Sequence, residues 1–162
     1  HGALVGVLLA LLILSYRERC SFWVLSDFVC LIAPVGLFFG RIANFINGEL
    51  VGRVSDVSWA IVFPHIDNQL RHPSQLYEAM SEGVLLFLIM VWVSRLRQED
   101  GVLSMVFLFS YGIIRFVMEY FREPDTPFGT MWFGWDMGQW LSIFMVLAAL
   151  ALYLRKKLID CR

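Results

Sequence analysis

Several hallmarks of familiar enzyme classes are missing from this sequence. It has no G-x-S-x-G element of a serine hydrolase, no H-E-x-x-H element of a zinc protease and no G-x-x-x-x-G-K-[ST] loop for nucleotide phosphates. Its carboxylates form no Asp-rich magnesium cluster, and Cys20, Cys30 and Cys161 are too far apart for a metal or redox motif. We therefore expect chemistry without a metal or cofactor.

Charge is also scarce. Charged residues make up 17% of the chain and hydrophobic residues 59%, with a mean hydropathy of +0.67, whereas a soluble domain is about 25% charged. The apolar residues fall into blocks of roughly 15–25 residues, the length that crosses a bilayer core. The sequence predicts one all-α transmembrane domain over 1–162, with about five spans and a small extramembrane loop and β region at 53–70. The blocks are 2–16, 22–39, 71–93, 102–121 and 137–154.

The chain starts at His1 without a methionine and runs directly into an apolar block. It has no basic segment and no small-residue cleavage site there, so a signal peptide is not indicated. We interpret it as the C-terminal portion of a longer protein.

Within the blocks, a few residues predict local structure. Asp27 is a buried acid without an obvious partner, and Pro34 predicts a kink or a re-entry point in the second span. The alternation of apolar residues over 57–63 predicts a short amphipathic strand. Pro73 predicts the start of the third span.

The distribution of Lys and Arg predicts the topology. If the loops after the first, third and fifth spans are cytoplasmic, they hold most of the basic residues, as membrane proteins prefer. The remaining arginines then lie near the outer face, where they break that preference and are expected to have another task. They are Arg41, Arg53, Arg71, Arg115 and Arg122.

Residues 40–53, here called the polar segment, combine arginines, asparagines, a glutamate and glycines directly after an apolar run. Such residues beside hydrocarbon usually have a function. The guanidinium of Arg41 suits a phosphate, and Asn44 and Asn47 could orient it or bind glycerol oxygens. Glu49 could hold an arginine or accept a proton. An ordinary capped turn is the alternative interpretation.

The fourth span carries an ionisable stripe. Tyr111, Arg115, Glu119 and Arg122 fall within an arc of roughly 80° on a helix. Such a stripe normally faces a bundle interior or a wet cavity. The alternative is a purely structural Arg115–Glu119 pair.

Other candidates are less specific. His1 could act as a general base, because imidazole titrates near neutral pH. His72 is expected to be structural or to support the site, and His65 to be solvated. Glu78 and Glu82 share a face of the third span, where they either pair with the arginines or extend to water.

These residues resemble the prolipoprotein diacylglyceryl transferase family. The polar segment resembles the family signature, residues 71–78 resemble a second block, and Tyr111, Arg115 and Glu119 resemble a third. His1 and Gly2 resemble the start of a His-Gly-Gly segment, with Ala3 replacing the second glycine.

The resemblance implies a bacterial inner-membrane enzyme with its site toward the periplasmic face. Such an enzyme moves diacylglyceryl from phosphatidylglycerol to the lipobox cysteine of a preprolipoprotein, giving a thioether and glycerol phosphate. No nucleic-acid partner is implied. By the same resemblance Arg41 binds the headgroup, and Arg115 binds that phosphate or the leaving group. Tyr111 and Glu119 orient Arg115, and His1 takes the thiol proton. Asn44, Glu49 and Gly52 occupy functionally sensitive positions.

Two alternatives stay open. One is a non-catalytic module that binds or transports anionic phospholipid with the same arginines. The other is a protein whose buried charges only hold its helices together.

Overall fold

The computed structural model describes residues 2–96, 99–123 and 136–160. In these ranges the chain forms five helices and one two-stranded sheet. The helices are α1 (Gly2–Glu18), α2 (Phe22–Asn47), α3 (Ser74–Ser94), α4 (Val102–Met118) and α5 (Met137–Asp160); the strands are β1 (Ile61–Val62) and β2 (Leu70–Arg71).

The helices confirm the expected helical membrane fold. Among the described residues, α2, α3 and α5 are long and apolar enough to cross a bilayer. The mean hydropathy of an 18-residue stretch in each is 2.0, 1.7 and 1.8. Helix α4 is apolar but has only 17 residues. Large apolar side chains such as Phe144 and Leu158 are exposed on α5, as expected for a surface that faces lipid. Three of the expected spans therefore reach spanning length by this measure.

Helix α2 is longer than predicted and enters the polar segment. It continues through Pro34 to Asn47, so the expected re-entry at Pro34 is wrong. The helix ends where Gly48 adopts a left-handed conformation with φ 67° and donates its N–H to the carbonyls of Asn44 and Phe45. Glycine is the usual residue at this position because it has no Cβ to clash. Arg41 and Asn44 are therefore helical residues.

Helix α3 begins at Ser74, directly after Pro73, as predicted. Its middle, Ala79–Leu85, is a π-helix, a wider turn that often occurs at functional sites. Gly83 lies in this turn, and a Cβ there would be 2.6 Å from the Cβ of Phe38. The missing side chain lets α3 approach α2 closely, which brings the acids of α3 toward Arg41.

Asp27 has partners that the sequence did not reveal. Its carboxylate accepts hydrogen bonds from the backbone N–H groups of Gly101 (2.6 Å) and Ser104 (2.7 Å), and from the Ser104 hydroxyl (2.6 Å). These groups belong to the first turn of α4, whose N–H groups have no partner within the helix. Asp27 is thus a helix cap supplied by α2; its predicted burial is confirmed, and its partners become visible only in the fold.

The extramembrane strand is shorter than predicted. Only Ile61–Val62 is extended, and it pairs antiparallel with Leu70–Arg71. The start of the predicted strand forms a turn instead, closed by a hydrogen bond from the N–H of Ala60 to the carbonyl of Val57 at 2.9 Å. Alternation was therefore misleading at Trp59, whose side chain is mostly exposed.

Candidate functional site

Five charged side chains, from three helices and the end of one of them, form a buried ionic network. Arg41 comes from α2, Glu78 and Glu82 come from α3, Arg115 comes from α4, and Glu119 directly follows the last residue of α4. The side chains of Glu78 and Glu82 are completely buried, and those of the two arginines are 13% and 15% exposed. This network joins the polar segment to the stripe of the fourth span.

The α3 carboxylates hold Arg41 along its whole guanidinium. Nε and Nη2 of Arg41 donate to Oε2 of Glu82 at 3.0 and 2.8 Å, and Nη1 lies 2.9 Å from Oε2 of Glu78. Charge-assisted contacts of this geometry are strong and directional. Glu78 and Glu82 therefore pair with arginine, which settles the choice between pairing and reaching water.

The same carboxylates hold Arg115. Its Nη1 donates to Oε1 of Glu78 at 3.0 Å and lies 3.6 Å from Oε1 of Glu82. Its Nη2 lies 2.7 Å from Oε2 of Glu119, four residues further along the chain and just past the end of α4. Arg41 and Arg115 thus meet on one pair of acids, although they are far apart in sequence.

This arrangement has two consequences for the arginines. Removing one member of a buried ion pair typically costs about 3–5 kcal/mol, because the partner stays charged and buried. The network therefore fixes both guanidiniums in position. It also occupies many of their N–H groups, so a ligand must use the remaining ones.

Side chains from the start of α3 donate hydrogen bonds to the backbone carbonyls of the turn that follows α2. Gln75 donates to the carbonyl of Glu49 at 2.7 Å and Ser74 to that of Leu50 at 3.2 Å. His65 is exposed, as expected, and its Nε2 also lies 3.1 Å from the carbonyl oxygen of Gly48. Leu50 has φ 55°, a conformation uncommon for a residue with a side chain. The first turn of α3 thereby supports a strained part of the polar segment.

Gly52 lies in a tight gap between two other chain segments. A Cβ there would be 2.3 Å from the carbonyl oxygen of His72 and 2.9 Å from that of Phe121. The N–H of Gly52 donates to His72 at 3.2 Å, and the next N–H, of Arg53, donates to Phe121 at 3.0 Å. In this structure Gly52 permits close backbone packing.

The other predicted site residues differ in their burial and in their contacts. Asn44 is half-buried, and its backbone carbonyl accepts hydrogen bonds from the N–H groups of Gly48 and Glu49 at the end of α2. Asn47 and Glu49 are exposed. In the described part of the chain, no hydrogen bond of these three side chains is seen. Tyr111 is half-buried and stacks on Phe107, with ring centroids 5.7 Å apart. His1 lies outside the described residues.

Arg71 ties the extramembrane segments together. It contacts Asp67 at 2.6 Å, Glu123 at 2.5 Å and the carbonyl of Gly52 at 3.0 Å. The hydrogen bond from Arg71, with one from the N–H of Gln69, lowers the pKa of Asp67 below its ordinary value. This arginine, which the sequence placed near the outer face, thus has a structural task.

Four aromatic side chains contact one another beside the start of α3. Trp59 donates from Nε1 to the hydroxyl of Tyr77 at 2.6 Å, and Nδ1 of His72 lies 3.2 Å from that hydroxyl. The rings of His72, Tyr77 and Phe121 lie edge to face at 5.6–5.8 Å. His72 is therefore a structural residue here, as expected.

Sequence reasoning left the pairing of Glu78 and Glu82 with the arginines open and did not single out Gln75. Their signal was present: the three lie at i, i+3 and i+7 on one face of an apolar helix, where ionisable groups need partners. Within the described ranges, no cluster of three or more His, Cys, Asp or Glu is placed to hold a metal ion.

Fold and site together define a helical membrane protein with a buried arginine–carboxylate network near one end of its spans. The family model of prolipoprotein diacylglyceryl transferase matches residues 1–155. The chain therefore belongs to that family.

Curated relatives support this assignment. A phosphatidylglycerol–prolipoprotein diacylglyceryl transferase of Idiomarina loihiensis is 47% identical over 157 residues, which are 97% of this chain and 59% of the relative. Proteins of the same name from Methylobacillus flagellatus and Bordetella parapertussis are 50% and 49% identical. These matches cover 91% and 95% of this chain, and 57% and 59% of the relatives. The chain thus spans less than two thirds of the length of these relatives.

Proposed function

We propose that this chain forms part of an enzyme that transfers diacylglyceryl from phosphatidylglycerol to the lipobox cysteine of preprolipoproteins, the first step of bacterial lipoprotein modification. The observation that carries the proposal is the pair of guanidiniums, Arg41 and Arg115, held together by Glu78 and Glu82. Family membership supplies the reaction, because relatives are named for both substrates.

The chemistry of this transfer explains why fixed arginines are useful. The cysteine sulfur forms a bond to the glyceryl carbon, and the bond from that carbon to the phosphate oxygen breaks. The oxygen keeps the bonding electrons, so glycerol phosphate leaves with one more negative charge, and the thiol proton is released. Preorganised cations beside the leaving oxygen stabilise the developing charge in the transition state.

In this proposal Arg41 and Arg115 bind the phosphate through N–H groups that the network leaves available. Glu119 orients Arg115, at 2.7 Å, and Tyr111 lies on the same face of α4. Asn44 and Asn47 bind glycerol oxygens, and Glu49 and Gly52 complete the polar segment. His1 accepts the thiol proton, because the thiolate is the effective nucleophile.

The proposed setting is the bacterial inner membrane, with the network toward the periplasmic side. The distribution of basic residues supports this orientation, since Arg17, Arg19 and Arg95 lie at the opposite ends of the helices from Arg41. Phosphatidylglycerol would then reach the arginines from the outer leaflet, and the lipobox peptide from the periplasm.

A full-length chimera tests the proposal. The chain replaces the segment that it matches in the Idiomarina loihiensis relative, and the purified chimera is incubated with phosphatidylglycerol and a lipobox peptide. Mass spectrometry of the peptide should show a diacylglyceryl gain. Arg41→Gln should abolish that gain, whereas Arg95→Gln, an exposed arginine at the end of α3, should preserve it.

The same assay separates the alternatives. Binding of phosphatidylglycerol without any mass gain, while the parent relative modifies the peptide, would favour the non-catalytic lipid-binding module. If Arg41→Gln lowers activity only in proportion to its loss of folded protein, the buried charges serve packing alone.

A further inference from the structure

Counted over the described residues, the ionic network has no excess of positive charge before any lipid binds. It contains two guanidiniums and three carboxylates, and buried Arg122 lies close enough to Glu78 to add a third positive charge. Buried charges are tolerated only when they are paired. An anionic headgroup entering this site would therefore bring one negative charge too many.

One carboxylate oxygen is placed to take up a proton, which would remove the additional negative charge. Oε1 of Glu82 is buried and accepts no hydrogen bond from the described residues, and Nη1 of Arg115 lies 3.6 Å from it. The other oxygen of Glu82 receives both bonds from Arg41. Because a protonated carboxyl keeps one acceptor oxygen, Glu82 can carry a proton on Oε1 and still hold Arg41.

We propose that the Glu78–Glu82 pair takes up one proton when an anionic phosphodiester headgroup binds to Arg41 and Arg115, with Oε1 of Glu82 as the favoured position. This inference rests on the proposed function for the location of the headgroup. The groups facing the pair are Arg41 from α2 and Tyr111, Arg115, Glu119 and Arg122 from α4 and its end. None of them is a better acceptor, since Glu119 already contacts Arg115 at 2.7 Å.

Proton uptake has a thermodynamic signature. If one proton is bound with each lipid, the affinity for the lipid falls by up to about tenfold for each unit of rising pH, in the range where the pair titrates. Permanently neutralising one carboxylate should remove this dependence, because the site then accepts the anion without a proton.

Calorimetry in two buffers counts the protons. The full-length chimera in detergent is titrated with a short-chain phosphatidylglycerol, in buffers that differ in their heat of ionisation. Wild type should take up about one proton per lipid, and Glu82→Gln close to none. Asp27→Asn removes a buried carboxylate at the other end of α2 and should keep the wild-type count. Uncharged diacylglycerol should cause no proton uptake.

The outcomes separate this inference from the proposed function. Lipid binding by wild type with no proton uptake would overturn the inference, even if the peptide is modified. Uptake of a full proton in both Glu82→Gln and Glu78→Gln would also overturn it, because the proton would reside elsewhere. Proton uptake without peptide modification would support the inference and contradict the transfer reaction.

Discussion

Replacing Gly52 with alanine tests whether this signature glycine acts through backbone packing. A Cβ at Gly52 would lie 2.3 Å from the carbonyl oxygen and 2.7 Å from the Cβ of His72, and 2.9 Å from the carbonyl oxygen of Phe121. The two oxygens cannot retreat easily, because each accepts a backbone hydrogen bond from Gly52 or Arg53. Overpacking of this kind costs typically 1–3 kcal/mol, and we expect about 3 kcal/mol here because backbone must move.

Gly40→Ala is the matched control. Gly40 lies in α2 in the same segment, and a Cβ there meets nothing within 4 Å. Alanine is a better helix former than glycine, by about 1 kcal/mol in water, so this variant should be neutral or slightly more stable. The free energy of unfolding is measured by SDS titration in mixed micelles, followed by circular dichroism. Equal stability of the two variants would refute the packing explanation, and lost peptide modification by a fully stable Gly52→Ala would assign Gly52 to substrate contact.

Three further predictions concern other parts of the fold. Asp27→Ala removes the cap of α4 and should lower the free energy of unfolding by about 2 kcal/mol in the same titration; no change would show that the cap is dispensable. Asp67 has a lowered pKa, so its contact with Arg71 stabilises the fold above its ordinary value of 3.8 and is lost as the pH falls below it. The thermal midpoint should therefore drop below about pH 4, and Asp67→Asn should flatten that drop. Glu78→Gln weakens the hold on both arginines and should reduce peptide modification at least tenfold, about 1.4 kcal/mol, while Glu99→Gln, an exposed acid, should not.

The sequence predicted the helices well because their apolar blocks and stops are local signals. Pro73 marked the start of α3, and α1 and α3 end beside arginines as predicted, whereas α5 continues past its predicted end at residue 154 to Asp160. The predicted end of α2 was too early because a charged residue, Arg41, follows the apolar run. In the structure two acids of another helix pair with Arg41 inside the bundle, so the helix continues through it. The strand was overextended because alternation does not reveal a turn at Trp59.

The sequence identified the arginines of the site and the Arg115–Glu119 pair, but it left the pairing of Glu78 and Glu82 undecided. Arg41 and Arg115 stood out as cations in apolar surroundings. Which acids they meet depends on the approach of α3 to α2 at Gly83 and Phe38, which no local pattern specifies. Asp27 caps α4 by accepting from Gly101 and Ser104, which are 74 and 77 positions further along the chain. The cap therefore also depends on the packed fold.

The account depends on Arg41 and Arg115 acting as one unit on one anionic headgroup. A double-mutant cycle with Arg41→Gln and Arg115→Gln, measured as kcat/KM for modification of the lipobox peptide by the chimera, tests this most directly. If the two guanidiniums share one phosphate, the double variant should lose little more than the worse single variant, a coupling of about 1–3 kcal/mol. Losses that simply multiply in the double variant would show that the arginines act independently and would contradict the account.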